Sequence, residues 1–258
     1  MFPILVTTLA FSGKSRKTDN FIPMSAEELQ TKGYTILENL FTGEEIDAIG
    51  NVLSRADFSR DTFRKTKDLF AIRQFLKEIP EITPLIFNNR IRNLVSKYFG
   101  QHYFVVKSIY FDKPRNSNWF VAWHQDLTIS VDKKLNLPGF GPWTVKQDQY
   151  AVQPPPDILE NIYTLRIHLD DTGEDNGALR VIPGSHMAGV KRYAADDPSN
   201  IKETCRVKRG GAMIMRPLLL HASGRSTGVG GRRVIHIEFS NGKLPHGLIW
   251  SEQLFLDC

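Results

Sequence analysis

The chain has 258 residues, of which 41% are hydrophobic and 24% are charged, and its formal net charge is +5. These values are ordinary for a soluble globular protein with a sizeable core, in one large domain or two small ones. The basic residues are scattered and KSRK at 14–17 is their densest cluster, so the positive stripe or patch typical of a nucleic-acid-binding protein is missing. The charge is compatible with an anionic small-molecule substrate and equally with no specific partner. Cys205 and Cys258 are the only cysteines, which argues against a disulfide framework and favours a reducing compartment, the cytoplasm.

The chain begins with an apolar run at residues 2–11. The run is too short to span a bilayer, and its charges follow it, whereas those of a secretory signal precede it. We therefore expect a poorly ordered leader at residues 1–20, no membrane span, and a single domain over residues 21–258.

Helix signals dominate the part of the domain from about 25 to 100. The spacings Ser25-x-x-Glu28 and Thr42-x-x-Glu45 have the form of capping boxes. Apolar residues recur at helical spacing after the second box, and NRIRNLVSKYF before Gly100 predicts a further helix. A short strand is predicted between the two boxes, at residues 34–37.

From residue 103 to about 245 the sequence consists of short β-rich runs separated by Gly, Pro, Asn and Asp. The runs are YFVVKSIYF, NWFVAW, NIYTLRIHL, ALRVIP, GAMIMRP and RRVIHIEFS. This pattern predicts an antiparallel sandwich or barrel. The connection at 135–157 is long and rich in Pro and Gly, which is typical of either a functional lid or a plain surface excursion.

A histidine and an aspartate interrupt the apolar stretch FVAWHQDLTI. His124 and Asp126 are two residues apart, so on a strand their side chains would point to the same face. His221, at the end of another apolar run, is the best third partner. Two histidines and one carboxylate are the ligand set of non-haem Fe(II) oxygenases and also suit catalytic zinc. A core histidine hydrogen-bonded to an aspartate would show the same pattern.

Four motifs in order, WHQD at 123–126, HLDDTGEDNGALRVIPGSH at 168–186, HASG at 221–224 and RRVIHIEF at 232–239, resemble the phytanoyl-CoA dioxygenase family. The resemblance covers about residues 27–245. It implies a mainly β fold, a double-stranded β-helix (a cupin-like jelly roll) with a helical buttress. It also implies an oxygenase that uses Fe(II), 2-oxoglutarate and O2. It does not indicate the substrate, because the family acts on many unrelated molecules.

The resemblance assigns roles position by position. It makes His124, Asp126 and His221 the iron ligands. It makes Arg232, eleven residues after His221, the partner of the distal carboxylate of 2-oxoglutarate, and Ser223 a hydroxyl donor to that carboxylate.

Arg233 is the rival of Arg232 for this role. Strand alternation groups Arg232 with polar neighbours and Arg233 with Ile235 and Ile237. If the apolar face packs on the helices, Arg232 faces the site.

Further residues are candidates for contacts with small molecules. Lys107 and Tyr163 are candidates for binding the co-substrate. The candidates for binding the substrate are Trp119, Phe140, Trp143 and Arg73. Each could equally be structural. His168, Asp170 and His186 are interpreted as structural, and His236 as lining the pocket or packed in the core.

The implied reaction hydroxylates or desaturates an unactivated C–H bond of a small molecule, with release of succinate and CO2. Asp126 favours this outcome, because relatives that halogenate lack the carboxylate. Two alternatives remain open, namely a metal- or ligand-binding jelly roll without turnover and a zinc-dependent hydrolase.

Overall fold

The computed structural model describes residues 25–56, 63–65, 70–115, 117, 119–146, 149–191, 201–228 and 230–256. The leader expected at residues 1–20 lies outside these ranges. Within them, no helix is long and apolar enough to cross a membrane.

Most of the helices precede residue 100 and begin where the capping signals predict. Ser25 Oγ accepts a hydrogen bond from the Glu28 backbone at the start of the first helix. The second helix begins with a complete capping box between Thr42 and Glu45, which satisfies backbone donors that the helix itself leaves unpaired. The α-helices are α1 Ala26–Thr31, α2 Gly43–Arg55, α3 Phe75–Glu78, α4 Thr83–Ile86, α5 Asn89–Leu94 and α6 Pro156–Glu160. A π-helical segment, Val95–Phe99, continues α5 and ends at Gly100, whose φ of 119° favours glycine.

The strands lie mainly in the second half of the chain. In chain order they are β1 Tyr34–Leu37, β2 Phe63–Lys65, β3 Phe70–Arg73, β4 Phe104–Lys113, β5 Val121–His124, β6 Ile129–Val131, β7 Trp143–Lys146, β8 Gln149–Val152, β9 Tyr163–His168, β10 Leu179–Val181, β11 Glu203–Cys205, β12 Ala212–Met215, β13 His221–Ser223, β14 Arg232–Ser240 and β15 Leu254–Phe255. Short 3-10 turns complete the described elements at Pro80–Ile82, Glu174–Asn176, Ser185–Ala188 and Pro245–Gly247.

These strands form three sheets with antiparallel pairing throughout. The main sheet has eight strands in the order β1-β12-β9-β14-β4-β3-β2, with β15 also paired to β4. The second sheet has the order β11-β10-β13-β5, and the third has the order β6-β8-β7. The main and second sheets enclose a cavity between them, which is the architecture of the predicted double-stranded β-helix.

The alternation of side chains on the central strands separates a helix-facing side from a cavity-facing side. Ile235, Ile237 and Phe239 of β14 are fully buried in the core that the helices share with the main sheet. Burial of each such side chain contributes about 1.5–3 kcal/mol. The residues between them, including His236 and Glu238, therefore point to the opposite side, towards the cavity.

Two segments differ from the expectation. Strands β2 and β3 lie within the part predicted to be mostly helical and extend the main sheet. The connection at 135–157 contains β7 and β8, which pair with each other and with β6. The prolines and glycines of the connection lie outside the two strands.

Candidate metal centre and its cavity

A cavity of about 380 Å³ lies between the main and second sheets. Many of the residues singled out from the sequence line it. They are Arg73, Lys107, Trp119, His124, Asp126, His221, Ser223 and Arg232. These side chains come from segments far apart in the chain, and sheet pairing brings them together.

His124, Asp126 and His221 form one cluster in this cavity. His124 ends β5 and His221 begins β13, and the two residues are directly paired across these strands. Their ring centroids are 4.2 Å apart. Asp126 lies just beyond the end of β5, where its backbone N–H donates to Pro217 O at 2.9 Å. One ligand atom from each of the three residues lies within 4.8 Å of the others.

The donor set of this cluster fits a divalent metal ion. His124 Nδ1 lies 2.8 Å from Ala122 O, and His221 Nδ1 lies 2.8 Å from Leu219 O. Because a carbonyl oxygen can only accept, each Nδ1 carries a proton, and the neutral form of each ring keeps a lone pair on Nε2. Both Nε2 atoms lie 3.7 Å from a carboxylate oxygen of Asp126, too far for a hydrogen bond. Asp126 Oδ2 is buried and has no hydrogen-bond partner among the described residues, and a bound metal ion would coordinate it.

The charge states of these groups also suit metal binding. Burial lowers the pKa of His221 to about 4, against the attraction of Asp126, so the imidazole is neutral at pH 7. Desolvation by itself would raise the pKa of Asp126, but His221, His236, His124 and Lys107 outweigh it and hold that pKa below its usual range. A carboxylate and neutral imidazoles are the forms that bind metal.

Arg232 lines the same cavity from the start of β14. It is 4% exposed, and one Nη donates to Gly177 O, which also accepts from Ser223 Oγ at 3.0 Å. Arg232 Nε has no partner among the described residues. Lys113 is paired with Arg232 in register and donates to Gly224 O at 2.6 Å. Burial, together with a smaller contribution from the charge of Arg232, lowers the pKa of Lys113 to about 8.

Arg233 lies on the opposite face of the same strand. Its Nη2 and Nε bind the two carboxylate oxygens of Asp170 at 2.7 and 2.9 Å, and this hydrogen-bonded pair raises the pKa of Arg233 above its ordinary range. Alternation along β14 therefore directs Arg232 into the cavity and leaves Arg233 in an ion pair outside it.

Lys107 lines the cavity, but its ammonium group is already engaged. Nζ lies 2.9 Å from the carboxylate of Glu238 and 2.7 Å from Thr128 O. This placement differs from the expected contact with the co-substrate. Trp119 and Arg73 line the cavity as expected, and the ring of Trp119 lies 5.8 Å from Lys113 Nζ.

Tyr163, Phe140 and Trp143 do not line the cavity, and their expected placement is corrected. Tyr163 begins β9 on the helix-facing side, where it stacks on Phe99 at 4.4 Å between ring centroids. Phe140 and Trp143 are partly buried and pack on a second hydrophobic core. The 135–157 segment instead lines the cavity with Thr144, Gln149, Tyr150 and Ala151.

The second His-x-Asp pair has the structural role expected of it. His168 Nδ1 lies 2.7 Å from Thr172 Oγ1, and Asp170 is paired with Arg233. His186 Nε2 lies 3.1 Å from Gln30 O, so it connects the turn after β10 to the end of α1.

Sequence reasoning missed three charged residues of the cavity, Arg166, Glu238 and Glu252. Arg166 and Glu238 each lie in an apolar strand at a position that alternates with core residues, Leu165 and Ile167 in β9 and Ile237 and Phe239 in β14. The period of two in TLRIHL and RRVIHIEF was the available signal.

A double-stranded β-helix that presents two histidines and a carboxylate in its cavity defines the class of mononuclear metal proteins with a facial triad of ligands. The model of the phytanoyl-CoA dioxygenase family matches residues 29–234. The chain therefore belongs to that family, which confirms the resemblance found in the motifs.

Individual relatives are more distant. A protein named as a probable alpha-ketoglutarate-dependent hypophosphite dioxygenase from Stutzerimonas stutzeri is 25% identical over an alignment of 178 residues. The match covers 63% of this chain and 53% of the relative. The chain thus spans about half the length of this curated relative.

Solved structures confirm the fold. EctD from S. alaskensis with 2-oxoglutarate and 5-hydroxyectoine has a TM-score of 0.63 and 19% identity, and the match covers 83% of this chain and 74% of EctD. HygX from Streptomyces hygroscopicus with nickel, 2-oxoglutarate and hygromycin B has a TM-score of 0.60 and 15% identity, and the match covers 84% of this chain and 87% of HygX.

Proposed function

We propose that this protein is an Fe(II)- and 2-oxoglutarate-dependent dioxygenase that hydroxylates or desaturates a C–H bond of a small molecule. One observation carries the proposal: a cluster of two imidazoles and a carboxylate shares its cavity with a buried arginine whose Nε has no partner among the described residues. A metal ion needs the first group, and the distal carboxylate of a dicarboxylic co-substrate needs the second.

In this proposal the chain's own residues hold and orient the reactants. His124, Asp126 and His221 would hold Fe(II) through both Nε2 atoms and the Asp126 carboxylate. Arg232 and Ser223 would bind the distal carboxylate of 2-oxoglutarate. Fe(II) with 2-oxoglutarate and O2 would supply the oxidant for the C–H bond, with release of succinate and CO2.

Other residues of the cavity position the substrate and limit access of water. Trp119 and Arg73 line the cavity close to the ligand cluster and are proposed to contact the substrate. The third sheet, which contributes Tyr150 and Thr144 to the lining, covers one side of the cavity. Excluding water in this way protects a reactive oxidant until the substrate is in place.

Succinate formation distinguishes this function from its two alternatives. The purified protein is incubated with Fe(II), ascorbate, 2-oxoglutarate and a panel of metabolites that includes hypophosphite, the compound in the name of the curated relative. We expect succinate in the wild type and none in Asp126→Ala. A protein that binds metal and 2-oxoglutarate but forms no succinate with or without any substrate would favour the non-catalytic binding module. Hydrolysis of a panel compound that depends on Zn²⁺ and not on 2-oxoglutarate would favour the hydrolase.

A further inference from the structure

Arg166 of β9 is a buried cation at the metal end of the cavity. It is 7% exposed and lines the cavity. Leu165 and Ile167 on either side of it are buried in the helix-facing core, so alternation directs the guanidinium group inwards. Arg166 is paired in register with His236 of β14, and one Nη lies 2.9 Å from His236 Nδ1.

Among the described residues, the hydrogen bond to His236 does not neutralise the charge of Arg166. Arginine only donates, so His236 Nδ1 accepts, and His236 Nε2 carries a proton that it donates to Glu238 at 3.1 Å. With one proton the imidazole is neutral. Glu238 in turn is paired with Lys107.

Part of the Arg166 guanidinium group also lacks a hydrogen bond. Nε has no partner among the described residues although it is fully buried. Burial lowers the pKa of Arg166, and Asp126 partly opposes that effect. A metal ion bound to Asp126 would compensate the negative charge of that carboxylate and so weaken its attraction to Arg166. A buried charge without a partner costs several kcal/mol, which an anionic ligand would offset.

The position of Arg166 differs from that of Arg232. The side chain of His236, which Arg166 contacts, has a ring nitrogen within 4.8 Å of a carboxylate oxygen of Asp126. Arg232 lies four residues before His236 on β14, or about 13 Å along the strand. The two arginines therefore enter the cavity from different positions along the sheet, although the charge of Arg166, in addition to burial, lowers the pKa of Arg232.

We propose that Arg166 binds a carboxylate group beside the metal centre, through Nε and the free hydrogens of its Nη groups. The carboxylate comes either from the metal-side end of 2-oxoglutarate or from an acidic substrate. The inference rests on the proposed function and deepens it, since it adds a second anion-binding position to the same cavity.

Binding without turnover tests this role. Arg166→Gln removes the charge and keeps hydrogen-bonding capacity, and Arg166→Lys keeps the charge but loses the planar fork. Arg180→Gln is the matched control, because Arg180 is an exposed strand arginine on β10. Calorimetry measures Mn²⁺ binding, then 2-oxoglutarate binding to the Mn²⁺-loaded protein, and melting curves measure stabilisation of that complex by acetate.

If the ligand is 2-oxoglutarate, Arg166→Gln weakens its binding by about tenfold or more, which corresponds to about 1.4 kcal/mol. Mn²⁺ affinity stays within about twofold, and the lysine variant is intermediate. If the ligand is an acidic substrate, 2-oxoglutarate affinity is unchanged and stabilisation by acetate is lost in Arg166→Gln alone.

Unchanged 2-oxoglutarate and acetate binding in Arg166→Gln would overturn the inference and leave Arg166 a structural partner of His236. If Arg166→Gln does not fold, the test uses Arg166→Lys. Wild-type affinity of Arg166→Lys for both 2-oxoglutarate and acetate would also overturn the inference. A wild type that binds Mn²⁺ but not 2-oxoglutarate would contradict the proposed function, whereas the acetate measurement would still test Arg166.

Discussion

Replacement of Arg232 by glutamine should weaken 2-oxoglutarate binding far more than the same replacement of Arg233. Arg232 is buried, faces the cavity and has an Nε without a partner among the described residues, whereas Arg233 is paired with Asp170 outside the cavity. A hydrogen bond to a charged group contributes about 1.5–3 kcal/mol, or about one to two decades in affinity. The expected increase in the dissociation constant for Arg232→Gln is therefore about 10- to 150-fold.

The matched variant separates binding from stability. In Arg232→Gln, Gly177 O still accepts from Ser223 Oγ, so little stability is lost through this carbonyl. In Arg233→Gln the pair with Asp170 is broken. Because the two side chains are 38% and 27% exposed, the loss of unfolding free energy should be about 1 kcal/mol or less. Calorimetry with Mn²⁺-loaded protein and thermal unfolding measure the two effects. Equal losses of 2-oxoglutarate affinity, or a larger loss in Arg233→Gln, would refute the assignment of the two faces of β14.

Three further predictions concern the metal cluster, the third sheet and Lys113. Alanine at His124, Asp126 or His221 should abolish tight Mn²⁺ and Fe²⁺ binding in calorimetry and leave the circular dichroism spectrum unchanged; wild-type affinity in two of the three variants would refute the ligand set. Trp143→Ala should lower stability by about 2 kcal/mol and the melting temperature by about 4–8 °C, because Trp143 packs on the second core; a changed ratio of succinate to product at unchanged stability would instead identify a lid. Burial lowers the pKa of Lys113 from 10.5 to about 8, so between these pH values the unfolded chain binds more protons and the unfolding free energy rises with pH. Denaturant unfolding should show this rise, and Lys113→Met should lose it; the same slope in both proteins would contradict the assignment.

The orientation of Arg232 shows what alternation within one strand can predict. Apolar and polar residues alternate from Ile235 to Phe239 of RRVIHIEF, and only the apolar set of this stretch packs against the helices. The face of each residue followed from this rule. The same rule predicts the position of Tyr163. It lies two residues before Leu165 and four before Ile167 on β9, so it shares their helix-facing side. The family resemblance suggested instead that Tyr163 lines the cavity and contacts the co-substrate.

The 135–157 segment shows where local signals fail. Prolines and glycines suggested an irregular loop with aromatic side chains over the cavity. Pairing of β7 and β8 with β6 fixes the segment instead, and Trp143 packs on a core that includes Trp250 from the other end of the domain. No pattern within the segment reveals such a long-range contact.

The sequence by itself determined the helical first part, the antiparallel β-rich remainder, the family and the three candidate metal ligands. These features depend on spacings within short stretches, such as the capping boxes and the His-x-Asp pair, or on ordered motifs. Only the tertiary structure decided which groups meet in the cavity: that Lys107 is paired with Glu238, that Phe140 and Trp143 pack away from the cavity, and that Arg166 lies beside the candidate metal ligands and is hydrogen-bonded to His236. The physical reason is that these contacts join strands that are far apart in the sequence. The partners of each residue follow from sheet register and side-chain packing rather than from local periodicity.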